Sequence, residues 1–179
     1  MGEAKIIGEN DDVVRIMSIH KSKGLEFPIV FVCGMGKSFN LTDLNDSIIL
    51  HQELGFGPKF VDTNLKIEYS TLAKEAIKVK AKTEAISEEM RVLYVALTRA
   101  KEKLIMVGTK KNVEKDLAEI EEQVAACGNA KKLPKGMVKA KKNYLDWVLL
   151  TMFARKEDME KELDLFVHNM SEFTKEEEK

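Results

Sequence analysis

From Thr71 to Lys101 the chain contains neither glycine nor proline. Apolar residues recur there at Ala73, Ile77, Ala81, Ile86, Met90, Leu93, Tyr94 and Leu97, mostly three or four positions apart. That spacing gathers them on one stripe of an α-helix, with Leu93 and Tyr94 on the core side. The segment predicts one long helix, or two in series. Ser87 followed by Glu88 and Glu89 would open the second, a capping hydroxyl ahead of two acids at the positive end of the helix dipole. A helix of this length must bury its stripe against another layer, and apolar strands supply one. Pro28 to Cys33 and Leu104 to Val107 are continuous apolar runs without alternation. Strands covered on both faces, as in a parallel sheet, read this way, and Cys33 is then a buried strand residue. Val13 to Ile19 reads as a further short strand. Ile48 to Leu50 and Lys59 to Val61, flanking Gly55-Phe56-Gly57-Pro58, read as a small hairpin. The order strand, strand, helix, strand predicts an α/β layer with a partly parallel sheet, short of strands for a complete one.

After Thr109 the character changes to helix: Val113 to Ala126 is amphipathic and rich in Glu, Cys127 to Gly136 reads as a loop, and Asn143 to Ala154 is a more apolar helix containing Trp147. Thr174 to Lys179 is a charged run expected to fray. The length of 179 residues fits one domain with an appendage. Lysine plus arginine number 29 and aspartate plus glutamate 30, for a net charge of -1. That balance exerts no bulk pull on nucleic acid or an acidic membrane, so a nucleic-acid site has to be local. Cys33 and Cys127 make no zinc pattern and no disulfide scaffold, which favours a reducing compartment. No apolar run is long enough for a transmembrane helix, and the first residues lack the apolar core of a signal peptide.

Three segments carry candidate chemistry. Gly34-Met35-Gly36-Lys37-Ser38 follows an apolar strand, but a phosphate-binding loop needs GxxxxGK(S/T), and Phe31 stands where its first glycine would be. A glycine-rich turn leaving the strand is the favoured reading, and a small P-loop kinase the least favoured. Ser18, His20, Lys21, Lys23, Gly24 and Glu26 form a polar loop between two strands. Its hydroxyl, imidazole and cations can reach a phosphate backbone, and Glu26 can accept from a ribose hydroxyl. Arg99 ends the long helix just before a strand, where a cation complements the helix dipole or, as an arginine finger, stabilises charge on a transferring phosphoryl group. The lysines between Lys131 and Lys142, near Tyr144 and Trp147, are a basic patch able to bind DNA, though a solvated loop is the more ordinary account. His51 and His168 have no partner at metal spacing and read as surface or core imidazoles.

Taken together, the loop and the arginine helix resemble a known family. VRIMSIHKSKGLEFPIVF resembles motif V of the UvrD/Rep-like superfamily-one DNA helicases, and EEMRVLYVALTRAKEKLIMVG resembles their motif VI. The forms SIHKSKGLEFP, FGPKFVD and RVLYVALTRAKEKL are most similar to the AddA (RexA) chains of AddAB (RexAB) helicase–nucleases. The resemblance is close from Val13 to Gly108 and loose beyond. It implies an incomplete RecA-like motor domain of P-loop NTPase type, with residues 1–12 a linker from an inserted domain. Residues 13–108 would be the C-terminal part of the second motor domain, 109–170 a helical extension toward a nuclease domain, and 171–179 a frayed tail. Arg99 would be the catalytic γ-phosphate arginine; Gly24, Glu26 and Arg99 would contact nucleotide, Ser18 and His20 the DNA backbone, and Tyr94 would support the helix from the core side. The implied cofactors are ATP and Mg²⁺. The implied partners are single-stranded DNA, duplex ends and an AddB/RexB-type protein, in the cytoplasm and away from membranes. The parent would unwind and process double-strand breaks for recombinational repair. The family's Walker loops and nuclease centre have no counterpart here, so the resemblance implies a fragment inactive by itself. The alternative is a non-catalytic module, derived from a motor half, that binds DNA or a partner.

Overall fold

The computed structural model describes residues 13–128, 132–159 and 162–169. The expected linker at 1–12 and tail at 171–179 lie outside the described residues. In chain order the elements are β1 (Phe27–Val32), β2 (Ile48–His51), β3 (Gly55–Asp62), β4 (Ile67–Ser70), α1 (Leu72–Leu97), β5 (Ala100–Met106), α2 (Val113–Ala125), α3 (Lys135–Ala140), α4 (Tyr144–Ala154) and α5 (Lys156–Met159), with 3₁₀ turns at Ile19–Ser22 and Thr42–Asn45. The fold mixes helix and strand and contains a parallel pair, as expected.

The expected long helix is a single one. Thr71 caps it, its Oγ1 accepting from the Lys74 N–H at 3.2 Å. Ser87 starts nothing: its hydroxyl donates to the Thr83 carbonyl one turn back, so the helix runs through. One stretch of α1 packs on the parallel pair β1–β5, where Val30 pairs with Leu104 and Val32 with Met106. Val32, Met35, Ile86, Leu93, Ala96 and Trp147 form the buried cluster there. The opposite face of that pair is bare. Phe31 is 63% exposed and Ile29 is 53% exposed, so β1 is covered on one face and not on two, and Cys33 just beyond it is exposed. Continuous apolarity predicted two covered faces; a two-stranded layer lying on one helix covers only one. Tyr94 likewise points outward, 69% exposed, because its neighbour Leu93 takes the core side of α1.

The N-terminal part of α1 packs on a separate antiparallel meander, β2-β3-β4. The expected hairpin is present, but Gly55-Phe56-Gly57-Pro58 lies inside β3 rather than in the turn, and β4 is a strand the sequence did not announce. Gly57 is where the helix comes closest: a Cβ there would lie 2.5 Å from the Lys74 Cα. Lys74, 2% exposed, hydrogen-bonds through its ammonium to the Asp46 and Ser47 carbonyls, which satisfies a cation under the meander. The expected strand over Val13–Ile19 is absent. Residues 13–18 have no regular structure, with Val14 and Ile16 almost fully exposed, and no strand among the described residues lies beside them to accept their apolar side chains. At the C-terminal side α2 packs on α4 through Ile120, Leu149 and Leu150. Asn112 and Asn143 cap these two helices with their side-chain oxygens.

Candidate functional site

The polar loop after Met17 begins with Ser18, whose Oγ accepts from the Lys21 N–H at 3.4 Å and caps the Ile19–Ser22 turn. Ser22 is buried and donates its hydroxyl to the Ile19 carbonyl at 2.7 Å, which pins the turn from inside. Gly24 then adopts φ +84°, a left-handed conformation that lets the Leu25 N–H reach back to the Ser22 carbonyl at 3.0 Å. Ser18, His20, Gly24 and Glu26 are all exposed. The cap uses one of the two acceptor positions of the Ser18 hydroxyl and leaves its O–H able to donate.

Arg99 closes the other side of this loop. Its Nε donates to the Val95 carbonyl at 2.9 Å, Nη1 to the Leu25 carbonyl at 2.8 Å, and Nη2 to the Thr98 Oγ1 at 2.9 Å. Its own carbonyl accepts from the Phe27 N–H at 2.9 Å, which starts the β1–β5 pairing. A guanidinium carries five N–H donors in a fixed fork. Three are used here, and one remains on each terminal nitrogen, the number a guanidinium uses in pairing two oxygens of an anion. Glu26 lies 3.4 Å from the Lys101 ammonium, with both side chains more than half exposed. Such a pair is worth little and leaves the carboxylate free to accept from a hydroxyl. Among the described residues no group of His, Cys, Asp or Glu is placed to hold a metal ion.

All these residues sit where β1 and β5 begin. Loops of open α/β sheets usually bind ligands where parallel strands end, so this site uses the other edge. Thr98, Leu25 and Val95 hold the Arg99 guanidinium, and sequence reasoning missed them. Two of them act through backbone carbonyls, which no side-chain motif reveals. Tyr94, exposed on the outer face of α1, does not support the helix from the core side.

The glycine-rich segment after β1 proves to be a packing turn. The Met35 N–H donates to the Val107 carbonyl, the Met35 carbonyl accepts from the Leu145 N–H, and the Lys37 N–H returns to Gly34. Two of the segment's amides are spent internally, Met35 is fully buried, and no α-helix starts behind the turn, so the segment lacks the helix N-terminus of a phosphate-binding loop. The basic segment lacks its stacking aromatics. Trp147 is in the core with Nε1 donating to the Val138 carbonyl at 2.8 Å, and the Tyr144 hydroxyl bonds Glu89. His51 bonds Glu84 through Nε2 at 2.9 Å and accepts the Glu53 and Leu54 N–H groups at Nδ1, which holds the β2–β3 turn.

A family model described as the UvrD-like helicase C-terminal domain matches residues 3–111, which includes the whole exposed loop and Arg99. The chain belongs to the UvrD-like helicase C-terminal domain family. It is 58% identical over 152 residues to the A subunit of the ATP-dependent helicase/nuclease of Clostridium beijerinckii, covering 85% of this chain and 12% of that protein. It is 52% identical over 159 residues to the corresponding protein of Ruminiclostridium cellulolyticum, covering 89% and 13%. With that of Clostridium acetobutylicum it shares 53% identity over 157 residues, covering 88% and 12%. The chain thus spans about an eighth of the length of these relatives. Each match is longer than residues 3–111, so the likeness to these relatives runs on into the helices after β5. Among the described residues no helix is long and apolar enough to cross a membrane.

Proposed function

We propose that this chain is the responding half of an ATP-driven DNA motor, within an AddA-type helicase–nuclease. Residues 13–108 are the C-terminal part of its second RecA-like domain, and residues 109–170 lead toward a nuclease domain. The observation that carries this reading is the Arg99 fork. It is anchored on the Val95 and Leu25 carbonyls and the Thr98 hydroxyl, with two N–H groups to spare, beside Glu26 and behind the Ser18–His20 loop.

ATP supplies the phosphoanhydride whose cleavage drives movement. Arg99 donates its two remaining N–H groups to the terminal phosphate and stabilises the charge that develops there, an effect worth roughly 10³–10⁵ in rate for a well-placed arginine finger. Glu26 accepts a ribose hydroxyl, and the left-handed turn at Gly24 lets the backbone pass close to the nucleotide. Ser18 and His20 hold the phosphate backbone of a single strand. Arg99 holds the Leu25 carbonyl, so a change in its position is passed directly to that loop. The groups that hold Mg²⁺ and the β-phosphate belong to the first motor domain. The parent acts on single strands and duplex ends with an AddB/RexB-type partner, in the cytoplasm, and processes double-strand breaks for recombinational repair.

This reading predicts that the isolated chain does not turn over ATP. The test is phosphate release by the purified chain with Mg²⁺ and single-stranded DNA, beside Arg99→Ala. Release at the buffer rate is the expected result. Sustained hydrolysis that Arg99→Ala abolishes would mean that the chain holds a complete ATP site and is not half of one.

A further inference from the structure

At the opposite end of the β1–β5 pair from the Ser18–Glu26 loop lies a small cleft of about 110 Å³. Its floor is Ile86 of α1, and its rim carries Ser38 and the ammonium-bearing chains of Lys82, Lys139, Lys141 and Lys142. The Phe39 N–H donates to the Lys142 carbonyl at 2.8 Å, which fixes Ser38 against that rim. No acidic residue among the described ones lines the cleft. Lys59, Lys80, Lys101, Lys110 and Lys115 each pair with a carboxylate, whereas these four lysines pair with none among the described residues. Lys139 reaches the Thr83 hydroxyl at 3.5 Å, and Lys141 the Gln123 side-chain oxygen at 2.6 Å, both uncharged partners. Glu89, two turns beyond Lys82 along α1, is taken by the Tyr144 hydroxyl. In a chain with net charge -1, four unneutralised cations around one notch are a local field that an anion would relieve.

The size of the cleft decides which anion. Sites for whole small molecules run to roughly 300–1,000 Å³, and a water takes about 30 Å³. A space of about 110 Å³ holds a phosphate group and not a nucleotide. A chain of phosphates can leave one group in the notch and lay its neighbours along the flanking lysines. Phe39 is held against Tyr144 and Trp147 at centroid distances of 5.1 and 4.8 Å, so none of these rings stands free to stack a base, and the contact is to backbone alone.

We infer that this cleft is a second, sequence-independent contact for the phosphate backbone of single-stranded DNA, separate from the Ser18–Glu26 loop. The choice of DNA among polyanions rests on the motor reading above; the cation cluster does not. Phosphate contacts release counterions, at about 0.7 of a log unit in salt slope per contact on a single strand.

The test is fluorescence anisotropy of a labelled oligothymidine with the whole 179-residue chain, across a salt series. Lys82→Gln/Lys139→Gln/Lys142→Gln should lower affinity at least about tenfold and flatten the salt slope by roughly 2. The same three positions changed to arginine should bind as the unaltered chain does. These side chains are exposed, and a thermal melt checks that the variants fold. Unchanged affinity and slope in the glutamine variant would overturn the inference, as would a chain that does not bind the oligonucleotide. Loss confined to Ser18→Ala/His20→Ala would overturn the cleft while leaving the motor reading standing. Loss confined to the glutamine variant would support the cleft and count against Ser18 and His20. Pyrophosphate bound through these lysines without oligonucleotide binding would make the cleft a small-anion site and overturn the DNA assignment.

Discussion

Arg99 and Leu25 are joined by a hydrogen bond of 2.8 Å from the guanidinium Nη1 to the Leu25 carbonyl. The bond ties the end of α1 to the loop that feeds β1. It is backed by the Phe27 N–H donating to the Arg99 carbonyl at 2.9 Å, so side chain and main chain of one residue fasten both strands at their starting edge. Arg99 is therefore a structural anchor, and the proposed role toward nucleotide separates from that anchor experimentally.

The structural role predicts that Arg99→Ala destabilises the isolated chain by about 1–3 kcal/mol, because the half-buried Leu25 carbonyl loses its donor. Arg99→Lys should recover little, since an ammonium cannot reproduce three bonds from a planar fork. Urea denaturation followed by circular dichroism measures both. Midpoints equal to that of the unaltered chain would show that the anchor contributes nothing.

Gly57→Ala tests how α1 seats on the meander. The added methyl would lie 2.5 Å from the Lys74 Cα and 3.0 Å from its nitrogen, both backbone atoms. The helix has to move, at a cost of about 1–3 kcal/mol. A clear drop in the denaturation midpoint is expected, and a neutral substitution would mean that α1 and β3 do not pack this closely.

Alkaline pH should weaken the fold through two contacts. Burial, and the hydrogen bond its hydroxyl gives to Glu89, raise the Tyr144 phenol well above its ordinary value. The unfolded chain therefore loses this proton from about pH 10 upward while the folded chain keeps it, so stability falls as pH rises past that point. Burial works against the Lys110 ammonium, but Asp146 and Asp116 outweigh it and the value is raised. Its contribution is complete below the ordinary lysine value and is lost as pH climbs through the raised one. Melting temperature between about pH 10 and 12 should fall, and fall less steeply in Tyr144→Phe and in Lys110→Met. Identical slopes in all three proteins would contradict these assignments.

Much of this was legible from residue order. The parallel pair, the long helix and the two later helices follow from apolar runs and three-four spacing, because such patterns record which side of an element must be covered. The sequence did not record what is available to cover them. Ile29 and Phe31 lie in an apolar run yet face solvent, because the pair has one helix against it. Val13 to Ile19 looks like a strand but finds no neighbour to pair with among the described residues. Ile67-Glu68-Tyr69-Ser70 stands outside the expected hairpin, yet pairs with β3 because the Asp62 carboxylate accepts the Asn64 and Leu65 N–H groups and folds the chain back. At the site, Arg99 and Glu26 were visible as motif residues. The Leu25 and Val95 carbonyls that aim the arginine were not, since any residue supplies a carbonyl.

If Arg99 acts on a phosphate held by another domain, its loss shows in steady-state ATP turnover. The measurement uses a full-length AddA-type helicase–nuclease carrying alanine at the position of Arg99, with DNA binding followed on the same preparation. The expected kcat is lower by at least about a hundredfold, with affinity for single-stranded DNA retained. An unchanged kcat would mean that Arg99 does not act on the nucleotide.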